Sequence, residues 1–143
     1  MKLEIKNINE DGLFYGYAST FNEIDLKGDI ILPNAFKAAI RDFSDIDMLF
    51  QHDFGIPLGK WIEIEENNVG LHVTGKIFKN LYMGEEIYNM IREKKICGLS
   101  IGFKPIMYET DGNVRRLTKI DLREISIVRF PANRSALINK VES

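Results

Sequence analysis

Hydrophobic and polar residues alternate along much of this chain with the period of two that is typical of β-strands. The alternation occurs in KLEIKNI, in LFYGYASTF, in LGKWIEIEE and in VGLHVTGKIF. Asp11-Gly12 and Asn67-Asn68 separate neighbouring runs, and pairs of this kind favour tight turns. The first half of the chain is therefore predicted to contain two antiparallel hairpins.

Two segments change to the spacing of a helix. The first is ILPNAFKAAIRDF, where Pro33 suits the first turn of a helix. The second is LYMGEEIYNMIREKK, where Ile87 and Ile91 belong to an apolar stripe and the basic residues at the end suit the helix dipole. Two helices are therefore predicted, over residues 31–43 and 81–95.

The other segments read as further strands. IDMLFQH is predicted to be a buried strand that ends at His52, and three more candidates follow the second helix: GLSIGFKPIMYE, VRRLTKIDL and REISIVRFP. Many short strands with few helices favour a mainly antiparallel β fold of the α+β class, as a closed or nearly closed barrel surrounded by a few helices. The length of 143 residues, without repeats or a linker, predicts a single domain over residues 1–143.

Composition and charge narrow the classes of partner. Hydrophobic residues make up 45% and charged residues 28% of the chain, which is typical of a globular protein with a hydrophobic core. The net charge of −2 argues against nucleic acid as a partner. No apolar run approaches the roughly 20 residues of a membrane-spanning helix, and the polar amino terminus is unlike a signal peptide. Neither nucleic acid nor a membrane is therefore expected as a partner.

The chain has two histidines, so any chemistry that needs imidazole must use one of them. His52 follows an apolar strand, where it could bond a turn carbonyl or act as a base. His72 alternates with Leu71 and Val73, which is typical of a side chain that faces solvent from a strand. Two histidines 20 residues apart and one cysteine, Cys97, match no compact metal-ligand spacing, so no metal and no cofactor is predicted.

Ser100 lies in GLSIG, which has the Gly-x-Ser-x-Gly form of a nucleophile elbow. That elbow requires a strand, a turn and then a helix, whereas the residues after Ser100 continue as a strand. The α/β-hydrolase interpretation is therefore rejected. Gly98 and Gly102 leave room for a substrate backbone, although they also permit a bend in a strand. The spacing leaves open whether Ser100 is a buried core serine or a nucleophile.

A serine nucleophile needs a base within hydrogen-bond reach, and the base needs an orienting partner. The chain could supply these three roles as Ser100, His52 and Glu124, the residue that opens EISIV. Glu124 could also be an ordinary charge at the edge of a strand, and Cys97 stays open as an alternative nucleophile. A pair of carboxylates is a further hydrolytic alternative, with candidates at Glu63, Glu65, Glu66, Glu85 and Glu86.

Five segments taken together carry a family resemblance from about Gly16 to about Leu137. They are GYASTFNEIDLKGDIILPNAF, MLFQHDFGIPLGKW, NVGLHVTGKIF, ICGLSIGFKP and LREISIVRFPANRSAL, in this order. The set resembles the prohead maturation proteases of tailed bacteriophages, which are similar in fold and mechanism to the herpesvirus assembly proteases. The resemblance implies a serine endopeptidase with a barrel surrounded by helices.

The resemblance also implies a role for each candidate residue. Ser100 corresponds to the nucleophile and His52 to the general base. Glu124 lies on the strand where herpesvirus relatives have a second histidine, so it is expected to orient His52. Backbone N–H groups near Asn133 and Arg134 are the expected oxyanion donors.

The resemblance further implies capsid and scaffold proteins as substrates. Family members cleave scaffold, or the scaffold-like segment of the capsid protein, and then themselves, inside the immature capsid in the host cytoplasm. A homodimer or higher oligomer stays open, because the herpesvirus relatives depend on dimerisation and the helix at 81–95 could supply the contact. Two rival interpretations are a catalytically inactive capsid-assembly or binding module on the same barrel, and a barrel that binds a small molecule.

Overall fold

A computed structural model describes residues 9–136 and 138–139 and contains a mainly β fold. In chain order the elements are β1 (Leu13–Thr20), β2 (Asp29–Ile31), β3 (Asp47–Phe50), β4 (Asp53–Glu66), β5 (Gly70–Ile77), α1 (Gly84–Arg92), β6 (Gly98–Asp111), β7 (Val114–Val128) and β8 (Ile138–Asn139). The opening strand predicted before Asp11 lies outside the described residues.

The strands form one strongly curled sheet in the order β2-β7-β3-β4-β5-β1-β8, and β6 pairs with β7 alongside this path. Most pairs are antiparallel, whereas β7 runs parallel to β2 and to β3. The prediction of a closed or nearly closed barrel is therefore wrong: the fold is a half-barrel. The path ends at two very short strands, β2 and β8, and within the described residues no strand pairing joins its two ends.

The predicted hairpin at Asn67-Asn68 is confirmed, because β4 and β5 pair antiparallel around it. The Asn67 N–H donates to the Gly70 carbonyl oxygen at 2.9 Å, and the Asn67 side chain accepts a bond from the Val69 N–H at 2.8 Å. An Asn side chain that bonds the backbone two residues further on stabilises a turn of this kind. The alternation thus predicted the pairing of the two strands and the buried face of β5. In β4 a register shift between Trp61 and Glu63 breaks the alternation, so Trp61 is buried and Ile62 is exposed.

The helix predicted over residues 31–43 is wrong, since residues 33–40 form consecutive turns. Asn34 has a φ of 77°, a left-handed conformation that a right-handed helix does not accommodate. The Ala35 N–H donates to Leu32 and the Lys37 N–H to Asn34, each three residues back. Ala35 and Phe36 are nevertheless buried, so the apolar spacing indicated burial without a helix.

The second predicted helix is confirmed as α1, over a shorter range than 81–95. Ile87 and Ile91 are buried in the protein's own core, as the apolar stripe indicated, whereas Tyr82 is exposed. The prediction of a few helices around the barrel is therefore also wrong, because α1 is the one α-helix among the described residues.

The last two strand candidates join into one strand, β7, with 15 residues. It pairs with β6 from Gly98↔Val128 to Asp111↔Val114, around the turn at TDGN. Near its end, Ile125 and Ile127 point into the hydrophobic core. Glu124 and Ser126 alternate with them and therefore lie on the other face of the sheet, where the candidate site is built.

Candidate active site

His52 lies in a two-residue turn between β3 and β4, and the turn has an unusual backbone. Phe50 pairs with Asp53 across it, while Gln51 and His52 have φ angles of 53° and 60°. Positive φ is uncommon outside glycine and marks a position that the surrounding structure must hold in place. This turn is therefore a constrained part of the fold.

Three hydrogen bonds fasten the turn to β7 and to the residue after it. The Gln51 N–H donates to the Ile127 carbonyl at 3.0 Å, and the Gln51 side-chain oxygen accepts from the Arg129 N–H at 2.7 Å. The His52 N–H donates to Ser126 Oγ at 3.0 Å. Hydrogen bonds of the main chain and of the Gln51 side chain thus hold the histidine turn beside the end of β7.

Glu124 is brought into direct contact with His52. Its Oε2 lies 2.5 Å from His52 Nδ1, and its side chain is 5% exposed against 40% for the imidazole. Gly102 on β6 is its register partner, and a Cβ at Gly102 would overlap the Glu124 carboxylate. The glycine therefore provides the space in which the carboxylate reaches the histidine.

Ser100 lies on the same side of the sheet as Glu124. It pairs with Ser126 while Gly102 pairs with Glu124, and residues opposite each other in antiparallel strands project from one face. Ser100 lines a narrow pocket and His52 lines the neighbouring cleft, and both depressions share Ile101. Within residues 9–136 and 138–139, no hydrogen bond joins the Ser100 hydroxyl to His52.

Asn133 and Arg134 lie in the segment after β7, and Asn133 lines the same pocket as Ser100. The Asn133 amide is an anchor: its Nδ2 donates to the Thr20 carbonyl at 3.1 Å, and its Oδ1 accepts from Thr20 Oγ1 at 3.0 Å. Arg134 is exposed. In the part of the chain that the structure describes, the main-chain N–H groups of Asn133 and Arg134 donate to no protein acceptor.

An ion pair that sequence reasoning missed flanks the cleft beside His52. Arg115 donates from Nε to Asp29 Oδ1 at 2.8 Å and from its terminal nitrogen to Asp29 Oδ2 at 3.0 Å. This bidentate bond raises the pKa of Arg115 above its ordinary value. The pair joins β2 to β7 and, with Lys27, makes one wall of the cleft charged.

The other candidate residues lie elsewhere. His72 is on β5, where the rings of Tyr15 and Tyr17 lie 5.7 Å and 5.1 Å from its imidazole. Cys97 precedes β6 and is partly buried, and this burial raises the pKa of its thiol. The described residues contain no cluster of three or more histidine, cysteine or acidic side chains that could hold a metal ion. They also include no helix that is long and apolar enough to cross a membrane.

The half-barrel is shared with solved capsid and herpesvirus proteases. The bacteriophage T4 capsid assembly protease superposes with a TM-score of 0.67 at 11% identity, over 81% of this chain and 80% of that chain. KSHV protease, solved with a hexapeptide phosphonate inhibitor, superposes with a TM-score of 0.60 at 14% identity, over 92% of this chain and 65% of that chain. At these identities the likeness defines the fold class.

The family model for the caudovirus prohead serine protease matches residues 1–143, and the chain belongs to this family. The prohead protease of Enterobacteria phage HK97 is 36% identical over 139 residues, which cover 94% of this chain. The prohead protease of Escherichia phage T5 is 29% identical over 133 residues, which cover 90% of it. The matches cover 62% of the length of each of these relatives. The family resemblance drawn from the sequence is therefore confirmed.

Proposed function

We propose that this chain is a serine endopeptidase domain in which Ser100 is the nucleophile, His52 the general base and Glu124 the residue that orients His52. The 2.5 Å contact between His52 Nδ1 and Glu124 Oε2, on the face of the sheet that also carries Ser100, supports this proposal most strongly. A carboxylate at Nδ1 fixes the proton there and leaves the Nε2 lone pair to accept the serine proton.

The reaction follows from these positions. His52 Nε2 accepts the Ser100 hydroxyl proton while Oγ bonds to the carbonyl carbon of the substrate, and the carbonyl electron pair moves to oxygen. When the carbonyl re-forms, the C–N bond breaks and His52 gives its proton to the leaving amine. Water then attacks the acyl-enzyme in the same way and releases Ser100. Glu124 stabilises the imidazolium that forms in both steps.

The segment that follows β7 is proposed to supply the oxyanion hole. The N–H groups of Asn133 and Arg134, which donate to no protein acceptor within residues 9–136 and 138–139, are the candidates. The buried Asn133 side chain holds this segment against Thr20. Pro131 has no N–H to donate. One such donor would stabilise the transition state by about 2.7–4 kcal/mol.

Cys97 is the weaker candidate for the nucleophile. Burial raises the pKa of its thiol, so the protonated and poorly nucleophilic form predominates at neutral pH. It also precedes β6, whereas Ser100 pairs with the residue next to Glu124 on the same face of β7. The geometry therefore favours the serine.

Family membership supports capsid and scaffold proteins as the substrates. The domain is proposed to cleave scaffold, or the scaffold-like segment of the capsid protein, and itself, inside the prohead in the host cytoplasm. Self-association is proposed as well, but it requires a surface other than the apolar stripe of α1, since Ile87 and Ile91 are buried in the protein's own core.

A fluorophosphonate probe tests the nucleophile without knowledge of the natural substrate. Ser100 Oγ would bond to phosphorus while fluoride leaves, and His52 would accept the hydroxyl proton. Peptide mass spectrometry should find the label on Ser100 in the wild-type protein and in Cys97→Ala, and none in Ser100→Ala. Label on another residue, or equal labelling of Ser100→Ala, would contradict the proposal.

Coexpression with the capsid protein of the same phage tests the substrate. Intact-mass measurement should show defined cleavage products with the wild-type protein and uncut capsid protein with Ser100→Ala. If the capsid and scaffold proteins stay whole while Ser100 reacts with the probe, the proposed substrate class is wrong. If Ser100 is also unreactive, the inactive assembly module is the better interpretation.

A further inference from the structure

Ser126 is a buried hydroxyl that sequence reasoning left unassigned. Its side chain is 0% exposed on a strand whose neighbours Ile125 and Ile127 point into the core. Its Oγ donates to Glu124 Oε1 at 2.6 Å and accepts from the His52 N–H at 3.0 Å. One oxygen atom thus joins the acid and the base of the proposed triad.

The bond from the His52 N–H to Ser126 stabilises an unfavourable backbone conformation at His52. His52 and Gln51 both have positive φ, a conformation that is unfavourable for such residues and persists only when other contacts hold it. The Ser126 hydroxyl holds the main chain at the histidine itself. Its loss would leave the main chain of the turn held by the two Gln51 bonds.

The bond to Glu124 fixes the rotation of the carboxylate. Oε1 is held by Ser126 and Oε2 faces His52 Nδ1, while Gly102 leaves space on the opposite strand. A carboxylate held at one oxygen keeps the other directed at its partner. The serine therefore holds the carboxylate plane in the orientation that directs one oxygen at the histidine.

We propose that Ser126 is a positioning residue for the His52–Glu124 pair. The inference rests on the proposed function, because it assigns a role within the same triad. Ser126 lies opposite Ser100 in the β6–β7 register, but its hydroxyl is enclosed and already shared between two partners. It acts on the reaction through His52 and Glu124.

The rate of fluorophosphonate labelling at Ser100, measured as a function of pH, tests this role. Ser126→Ala should label about 10- to 100-fold more slowly, the effect of losing a hydrogen bond to a charged group. The acid limb of its rate profile should move to higher pH, because the carboxylate charge loses a donor and the pair holds a proton more tightly. Ser126→Thr keeps the hydroxyl. It should restore most of the labelling rate and return the acid limb of the pH–rate profile to its wild-type position.

Other ionisable groups surround the pair, and the variants leave them unchanged. Lys27, Asp29 and Arg115 line the cleft with His52, while Asp53 follows it in the chain and Asp47 pairs with Glu124 in register. A shift between wild type and Ser126→Ala therefore reports the hydroxyl. Thr74→Val, which removes a hydroxyl beside His72 on β5, is the matched control and should leave the profile as it is.

Two outcomes would overturn the inference while leaving the proposed function intact. The first is wild-type labelling of Ser126→Ala with an unmoved profile. The second is a slower rate with an unmoved acid limb, which would indicate a structural role alone. If Ser126→Ala does not fold, Ser126→Cys gives the same comparison with a weaker donor, and its rate and limb should fall between those of serine and alanine. Absence of label on wild-type Ser100 would instead remove the proposed function.

Discussion

The two histidines of this chain lie in different surroundings, although each is near a glutamate on a neighbouring strand. His72 lies within the regular strand β5, with Glu65 as its register partner and two tyrosine rings around it. His52 lies in a left-handed turn, and its Nδ1 contacts the buried Glu124. His72 is held by the regular strand pairing of β5, whereas the His52 turn is held by separate hydrogen bonds to β7 and to Arg129.

The two histidines therefore differ in backbone conformation: His52 has a positive φ in a turn, whereas His72 lies in an extended strand. The histidine turn is fastened by bonds from Ser126, Ile127 and Arg129. Such a constrained conformation is costly and is found at functional sites.

The largest effect is expected for the histidines themselves. His52→Ala should slow fluorophosphonate labelling of Ser100 by roughly 10⁴-fold, because general-base catalysis is lost. His72→Ala should label at close to the wild-type rate. Equal losses in the two variants, measured by intact mass over time, would show that His52 has been wrongly chosen as the base.

Substitution of Glu124 should likewise slow labelling far more than substitution of Glu65. Glu124→Gln keeps the shape of the side chain but removes the charge that fixes the proton on Nδ1, so labelling should slow by orders of magnitude. Glu65→Gln is the matched change beside His72 and should have little effect. The idea that Glu124 orients the base fails if Glu124→Gln labels as fast as Glu65→Gln.

The glycines should separate activity from stability. Gly102→Ala would push the Glu124 carboxylate away from His52, so labelling should slow by about tenfold or more, the effect of losing one charged hydrogen bond. Gly75→Ala places its methyl group against Phe14, Met48 and Trp61, and should lower the free energy of unfolding by about 1–3 kcal/mol. Denaturant unfolding and labelling, measured on both variants, should rank them in opposite orders.

The smallest effect is expected for the rings around His72. Loss of the imidazole in His72→Ala removes its contacts with Tyr15 and Tyr17 and should lower the free energy of unfolding by about 1 kcal/mol. Tyr17→Leu should cost a similar amount. If the slower labelling corresponds to an activation free energy as large as the loss of unfolding free energy, β5 is coupled to the site.

Local periodicity predicted two elements: the strand alternation predicted the hairpin of β4 and β5, and the helical spacing predicted the buried face of α1. The helix at 31–43 was wrong because the left-handed Asn34 turns the chain, and spacing cannot reveal a single φ angle. The closed barrel was wrong because, among the described residues, the two ends of the sheet, β2 and β8, do not pair, and pairing between distant strands cannot be deduced from the periodicity of each strand.

For the site, the sequence supplied His52 and Glu124 as a pair, and the structure places them in contact. Their catalytic roles, with that of Ser100, remain a prediction. Ser126 and the Asp29–Arg115 pair were missed because their partners lie on distant strands. One signal for Ser126 was present: it follows Glu124 by two residues, so both lie on the polar face of β7.

The bonds that hold the histidine turn have a consequence for biosynthesis. They connect residues separated by 72, 74 and 78 positions. The ribosome makes His52 and Ser100 before Glu124 and Ser126, and pairing across such distances must await the later strand. A partly synthesised chain would therefore carry the proposed nucleophile and base without the carboxylate that is proposed to align them. The proposed triad would be complete only when β7 pairs with β3 and β6.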